Sequence, residues 1–253
     1  MFIPIDMALL EGMLLIAVRV TAFVFLAPPF SYGGFPARIK AMLAIGLALP
    51  MAFAFAGDHR PLDTGPFLGA LTMQLLVGAL LGFLVMVCFS TVQAAGGLID
   101  VFGGFQLAQA FDVYSLVNGA QFTRLFQLTA LALLFASGGY QLIIAGLARS
   151  FEAVPLDGTI AVAEPAQLIV HAVTQMFLAA VQIAGPLILV LFLSDVGLGL
   201  VSRVAPALNA FALGFPLKIL LTLTLVGMTF LALPGIVDAL VGDALDLIRG
   251  VGR

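Results

Sequence analysis

The chain has 253 residues, 62% of them hydrophobic and only 9% charged, with a formal net charge of −3. Soluble domains of this length are about half apolar and about a quarter charged, so this is the composition of a membrane protein. The scattered basic residues leave no electrostatic footprint for nucleic acid, and the single Cys88 excludes an internal disulfide or a cysteine metal cluster.

The opening "MFIPIDMALLEG" carries Asp6 and Glu11 ahead of any basic residue, the reverse of a signal peptide's positive start. A retained first segment is therefore expected. A helix crossing a hydrocarbon core of about 30 Å needs about 20 mainly apolar residues. Charge-poor runs predict six such helices, at roughly 7–27, 41–57, 67–92, 125–148, 168–193 and 211–233. The predicted fold is all-α, a multi-helix membrane protein whose long apolar helices include broken segments. It is read as one helical unit over residues 1–253, because neither polar connection, 57–66 or 150–165, divides it.

Within the first span Arg19 is an intramembrane charge and requires a partner in protein or water. Pro28-Pro29 ends that span, Pro36 opens the next, and Arg38 and Lys40 fall in its first turns. The stretch "QAAGGLIDVFGGFQLAQAFDVYSLVNGAQFTR", 93–124, is apolar and aromatic, yet two Gly-Gly pairs and an Asn-Gly predict pieces too short to span. Such backbone is tolerated at membrane depth when protein surrounds it or it lines a cavity; the alternative is an interfacial loop whose phenylalanines dip into lipid.

Charges and helix breakers return together in "DVGLGLVSRVAPALNAFALGFPLK", 195–218. Asp195 and Arg203 are eight residues apart, about 12 Å along a helix, too far to pair with each other. Pro206 predicts a helix end near Val204–Ala205 with Asn209 beyond it, and Pro216, beside Lys218, predicts a second interruption. The C-terminal "GIVDALVGDALDLIRGVGR" places Asp238, Gly242, Asp246 and Arg249 on one stripe, which predicts an amphipathic helix.

Catalytic patterns are absent: the sequence has no HExxH pair, nucleophile elbow, Walker loop or GxGxxG at a strand–helix junction. His59 reads as a loop residue and His171 as the start of the fifth span. Basic residues divide evenly between the two sides of the six-span topology, so orientation is not fixed by charge. Interfacial anchors are thin, with no Trp and three Tyr, whereas Phe numbers 22.

These segments, in this order, resemble the FliR/SctT family of type III export-gate proteins, flagellar and injectisome, over essentially the whole chain. The resemblance rests on Arg19, Pro28, Pro36, Arg38 and Lys40, on "QAAGGLID", on Phe111–Asp112 and on "GGYQLII". Its most specific part is "LGLVSRVAPALNAFALGFPLKI", 198–219. Ala207 and Val113 depart from the family pattern, which expects glutamine and often proline there.

The resemblance implies a non-enzymatic subunit built of helical hairpins, without cofactor or metal, in the flagellar basal body at the bacterial inner membrane. Implied partners are FliP and FliQ, with FlhB and FlhA, and the cargo is unfolded flagellar protein. A virulence injectisome subunit is the alternative; a small-molecule secondary transporter is disfavoured because the longest apolar runs, 64–99 and 165–194, contain no carboxylate at all. Phe102, Phe105, Phe111 and Tyr114 are then candidates for an apolar pore plug, with Gly96, Gly97, Gly103 and Gly104 as hinges. Arg19, Pro36, Arg38, Lys40, Asp195, Arg203, Pro206, Asn209, Pro216 and Lys218 are candidates for packing between subunits. In the competing view the phenylalanines only pack against neighbouring helices.

Overall fold

The structure, a computed structural model, describes residues 7–31, 35–57, 59–106, 121–157, 163–205 and 210–251. Among them are seven helices: α1 (Met7–Leu26), α2 (Ala37–Phe55), α3 (Thr64–Phe102), α4 (Gln121–Ala136), α5 (Gly139–Ala153), α6 (Ala163–Val204) and α7 (Ala210–Gly250). Five are long and apolar enough to cross a membrane, and α4 with α5 make a sixth if that broken pair counts as one span. The all-α membrane architecture is as the sequence predicts.

Helix boundaries follow local chemistry. Pro36 precedes α2 in extended conformation, ψ 144°, where its missing N–H costs nothing. The fourth expected span divides at Ser137–Gly138, and Gly138 takes φ +75° there, a conformation that a side chain disfavours. Three expectations are corrected. The Gly96-Gly97 pair does not break the helix, because α3 runs through it for 39 residues. Each helical glycine costs about 1 kcal/mol relative to alanine, and tertiary contacts described below offset that cost at Gly96. Pro216 does not interrupt either; it lies inside α7, as does Pro234. The C-terminal amphipathic stretch continues α7 instead of forming a separate helix.

At 39, 42 and 41 residues, helices α3, α6 and α7 are each about 60 Å long at 1.5 Å per residue. That is about twice the hydrocarbon thickness, so each reaches beyond a single bilayer core.

The chain comprises two compact units. Unit 1 takes its described residues from 1–88, 138–173 and 240–253. Its core holds Leu15, Ile16, Val20 and Phe23 of α1, Leu81 and Leu84 of α3, and Leu147 of α5. Unit 2 draws on 89–137 and 174–239, with Ile99, Phe126, Leu134, Leu191 and Leu233 fully buried. Large apolar side chains also stand open, among them Phe53 of α2 at 73% exposure and Leu231 of α7 at 85%. Surface of this kind suits lipid or other protein, not water.

Candidate functional site: buried charges and the glycine-rich segment

In unit 1 the intramembrane charge foreseen at Arg19 is completely buried. Its Nε donates to Gln74 Oε1 at 2.6 Å. Nη1 donates to the Ser150 carbonyl at 2.9 Å and to Ser150 Oγ at 3.2 Å, and Nη2 to the Val154 carbonyl at 2.7 Å. The guanidinium also lies 4.2 Å from the centre of the Phe151 ring. Every one of these partners is neutral. What stands in for an acid is a helix end: the Ser150 carbonyl, which also accepts the Val154 N–H at 2.9 Å, and the Val154 carbonyl close α5, and that end carries partial negative charge. Gln74 completes the arrangement by donating Nε2–H to the Leu156 carbonyl at 3.0 Å. Arg19 thus finds its partners within its own chain.

Two glycines allow this approach. A side chain at Gly78 would fall on the backbone of Arg19, and one at Gly82 would lie 2.9 Å from the Phe23 carbonyl oxygen. Both pairs are four residues apart, so α1 and α3 touch backbone to backbone along one stripe.

Unit 2 contains the opposite arrangement. Asp100, also fully buried, accepts the Phe122 N–H on Oδ1 at 3.0 Å. Its Oδ2 accepts the Thr123 N–H at 3.0 Å and the Thr123 hydroxyl at 2.9 Å. These are first-turn donors of α4, so a carboxylate from α3 caps the positive end of another helix. At Gly96, one turn earlier in α3, a Cβ would lie 2.6 Å from the Phe122 carbonyl oxygen. Gly96 is therefore a contact glycine, whereas at Gly97 a Cβ would have ordinary room, 3.4 Å from Thr123 Oγ1.

The end of α3 holds the other hinge and plug candidates. Gly103 donates its N–H to the Ile99 carbonyl at 2.8 Å, and Gly104 follows at φ +81°. A left-handed glycine after the last helical turn is a standard helix stop. Phe102 is exposed. Phe105 meets Phe122 edge-on at 5.1 Å, and that ring leads through Phe126 to Phe230 by two further edge contacts of 6.4 and 5.3 Å. Phe111 and Tyr114 lie outside the described residues.

Also in unit 2, Lys218 Nζ lies 2.8 Å from Asp195 Oδ2, joining α6 to α7. The sequence places both charges without pairing them. Arg203 is exposed in the last turn of α6, and Pro206 and Asn209 lie outside the described residues. In unit 1, Arg38 is exposed near the start of α2, while Lys40 donates to the Ser31 carbonyl at 3.2 Å. His59 Nε2 faces Glu11 Oε2 at 3.5 Å, and the same oxygen accepts the Leu62 N–H. Among the described residues no three His, Cys, Asp or Glu side chains gather as metal ligands would.

Sequence reasoning missed Asp100, Gln74, Ser150 and the Gly78–Gly82 pair as structural determinants. The glycine pair had a signal, the spacing of small residues by four within an apolar helix. Asp100 had one too, as an acid in an otherwise apolar stretch. Gln74 and Ser150 had none.

Sequence comparison adds the family. The family described as bacterial export proteins, family 1, matches residues 10–244. The flagellar biosynthetic protein FliR of Escherichia coli (strain K12) is 28% identical over 238 residues, covering 92% of this chain and 90% of its own length. That of Bacillus subtilis (strain 168) is 29% identical over 215 residues, 83% of either chain. The surface presentation of antigens protein SpaR of Shigella flexneri is 30% identical over 153 residues, 60% of this chain and 59% of its own. With nearly all of its length matched, the chain belongs to family 1 of the bacterial export proteins.

Proposed function

We propose that this export protein is a non-enzymatic subunit of the flagellar type III export gate in the bacterial inner membrane, acting as one unit over residues 1–253. The observation that carries the reading is the family match over residues 10–244, joined by likeness to flagellar biosynthetic proteins along most of their length. In this reading FliP and FliQ complete the channel, FlhB and FlhA adjoin it, and unfolded flagellar proteins pass through. Large open apolar surfaces support it, because subunits of such a channel cover one another.

Phe102, Phe105, Phe111 and Tyr114 serve as an apolar plug that excludes water and ions when the channel is idle. Gly103 and Gly104 are its hinge, next to Gly97; Gly96 belongs to the same segment. Pro36, Arg38, Lys40, Arg203, Pro206, Asn209 and Pro216 shape contacts between subunits, with Arg19, Asp195 and Lys218 setting the faces they present.

Deletion tests the reading. A strain lacking this chain should lose motility and stop releasing flagellar filament protein, and plasmid expression should restore both. Retained motility and export would reject the reading. The likeness to SpaR of Shigella flexneri favours a second setting, an injectisome, in which deletion spares motility and abolishes secretion of virulence-type substrates.

A further inference from the structure

Along α6, Gln175, Leu178, Gln182 and Gly185 follow at spacings of three or four residues, and Leu189, Phe192, Val196 and Gly199 continue the series. The average step is about 3.5 residues, the repeat that keeps one seam of a helix turned toward one partner helix. All eight positions are exposed or half-exposed. A side chain built at Gly185 or Gly199 would meet nothing within 4 Å. Unit 2 buries a different face of the same helix, through Ala180, Ala184, Leu187 and Leu191. The seam is thus left over after α6 has taken its place in the fold.

Its chemistry selects what covers it. A water-filled path would leave four large apolar side chains wet. Hydrocarbon fails for the opposite reason. Gln175 and Gln182 are seven residues apart on one line, and neither amide is hydrogen-bonded among the described residues. Lipid tails offer amides nothing. Pro186 adds a third unmet group: it has no N–H, so the Gln182 carbonyl lacks its usual donor four residues on. A packed helix with polar side chains at matching intervals satisfies all three groups and covers the apolar ones.

We propose that this seam receives a membrane-spanning helix of another subunit, crossing α6 at about 20° as in a left-handed coiled coil. The partner helix carries amide or hydroxyl side chains opposite Gln175 and Gln182, and bulky apolar ones over Gly185 and Gly199. The proposal rests on the reading of the chain as one subunit of an export assembly.

Photo-crosslinking in the assembled complex reads the seam. The chain, co-expressed with FliP and FliQ, carries a photoreactive phenylalanine analogue at position 182 or 189, or at the exposed off-seam position 177. Adducts from 182 and 189 should map to one apolar helix bearing amide or hydroxyl residues seven apart, while 177 gives lipid adducts. Gly185→Leu should fill the notch and lower partner recovery at least tenfold, whereas Gly197→Leu, off the seam and equally open, should not. If the complex still co-purifies but the seam yields lipid adducts, or Gly185→Leu recovers partners normally, the seam is overturned and the export-gate reading stands. If no subunit co-purifies with the wild-type chain, both are rejected.

Discussion

The Arg19 guanidinium donates to the Ser150 carbonyl at 2.9 Å across 131 residues of sequence, so a cation on α1 closes the C-terminal end of α5. Asp100 does the converse, closing the N-terminal end of α4 from α3. Helices α4 and α5 are the bent pair that meets at Ser137–Gly138. Each has its free end capped by a buried charge whose compensation is a helix terminus and not an opposite ion.

Arg19→Leu should therefore cost more than a surface charge would. It strands Gln74 Oε1 and the Val154 carbonyl in the interior, each worth about 1–3 kcal/mol when left unpaired, while the Ser150 carbonyl keeps the Val154 N–H. Arg19→Lys restores a charge but not the planar fork that reaches three directions. Thermal unfolding in detergent should rank Arg above Lys above Leu, and equal stability of Leu and Arg would remove the capping account.

Asp100→Asn tests the second cap with little change of shape. One oxygen becomes an NH₂ that faces donors, so a loss of about 1–3 kcal/mol is expected. Thr123→Val removes the hydroxyl bond and keeps both backbone bonds, so its loss should be nearer 1 kcal/mol. The order of the two variants in the same unfolding assay checks the assignment; a larger effect of Thr123→Val would contradict it.

Glycine substitutions separate contact from hinge. Gly78→Ala drives a methyl into the Arg19 backbone, and Gly96→Ala drives one toward the Phe122 carbonyl. Both should destabilise by at least about 1–3 kcal/mol. Gly69→Ala, which meets nothing within 4 Å, should be neutral or gain up to about 1 kcal/mol from helix propensity. Gly97→Ala should be tolerated in folding, leaving any effect on export as a readout of motion.

The all-α membrane class was readable because it depends on composition and on runs of about 20 apolar residues. Arg19 could be singled out because a lone charge in a span must have partners; who the partners were could not be read, since Gln74, Ser150 and Val154 come together only through folding. Gly96-Gly97 looked like a break because local propensity disfavours glycine in helices, and the contact that makes Gly96 useful is with residue 122. Pro216 misled in the same way: a proline reads as an interruption unless tertiary packing holds the helix through it. Asp195 and Lys218 were visible as charges, but their pairing depends on how α6 and α7 align.

That alignment gives a rescue test. Both side chains of the Asp195–Lys218 pair are partly exposed, so the pair contributes only about 0.2–1 kcal/mol. Asp195→Lys alone and Lys218→Asp alone should each weaken assembly by placing like charges together. The double exchange should recover most of the loss, measured as the yield of intact complex. A double variant no better than the worse single one would show that the two charges act separately.

The most direct measurement of the central claim is co-expression of this chain, tagged, with FliP and FliQ, followed by purification in mild detergent and mass determination. A single stable complex holding all three proteins, and poor recovery of the chain when expressed alone, is the predicted result. A chain that purifies alone as a stable, monodisperse protein and leaves FliP and FliQ behind would contradict the account.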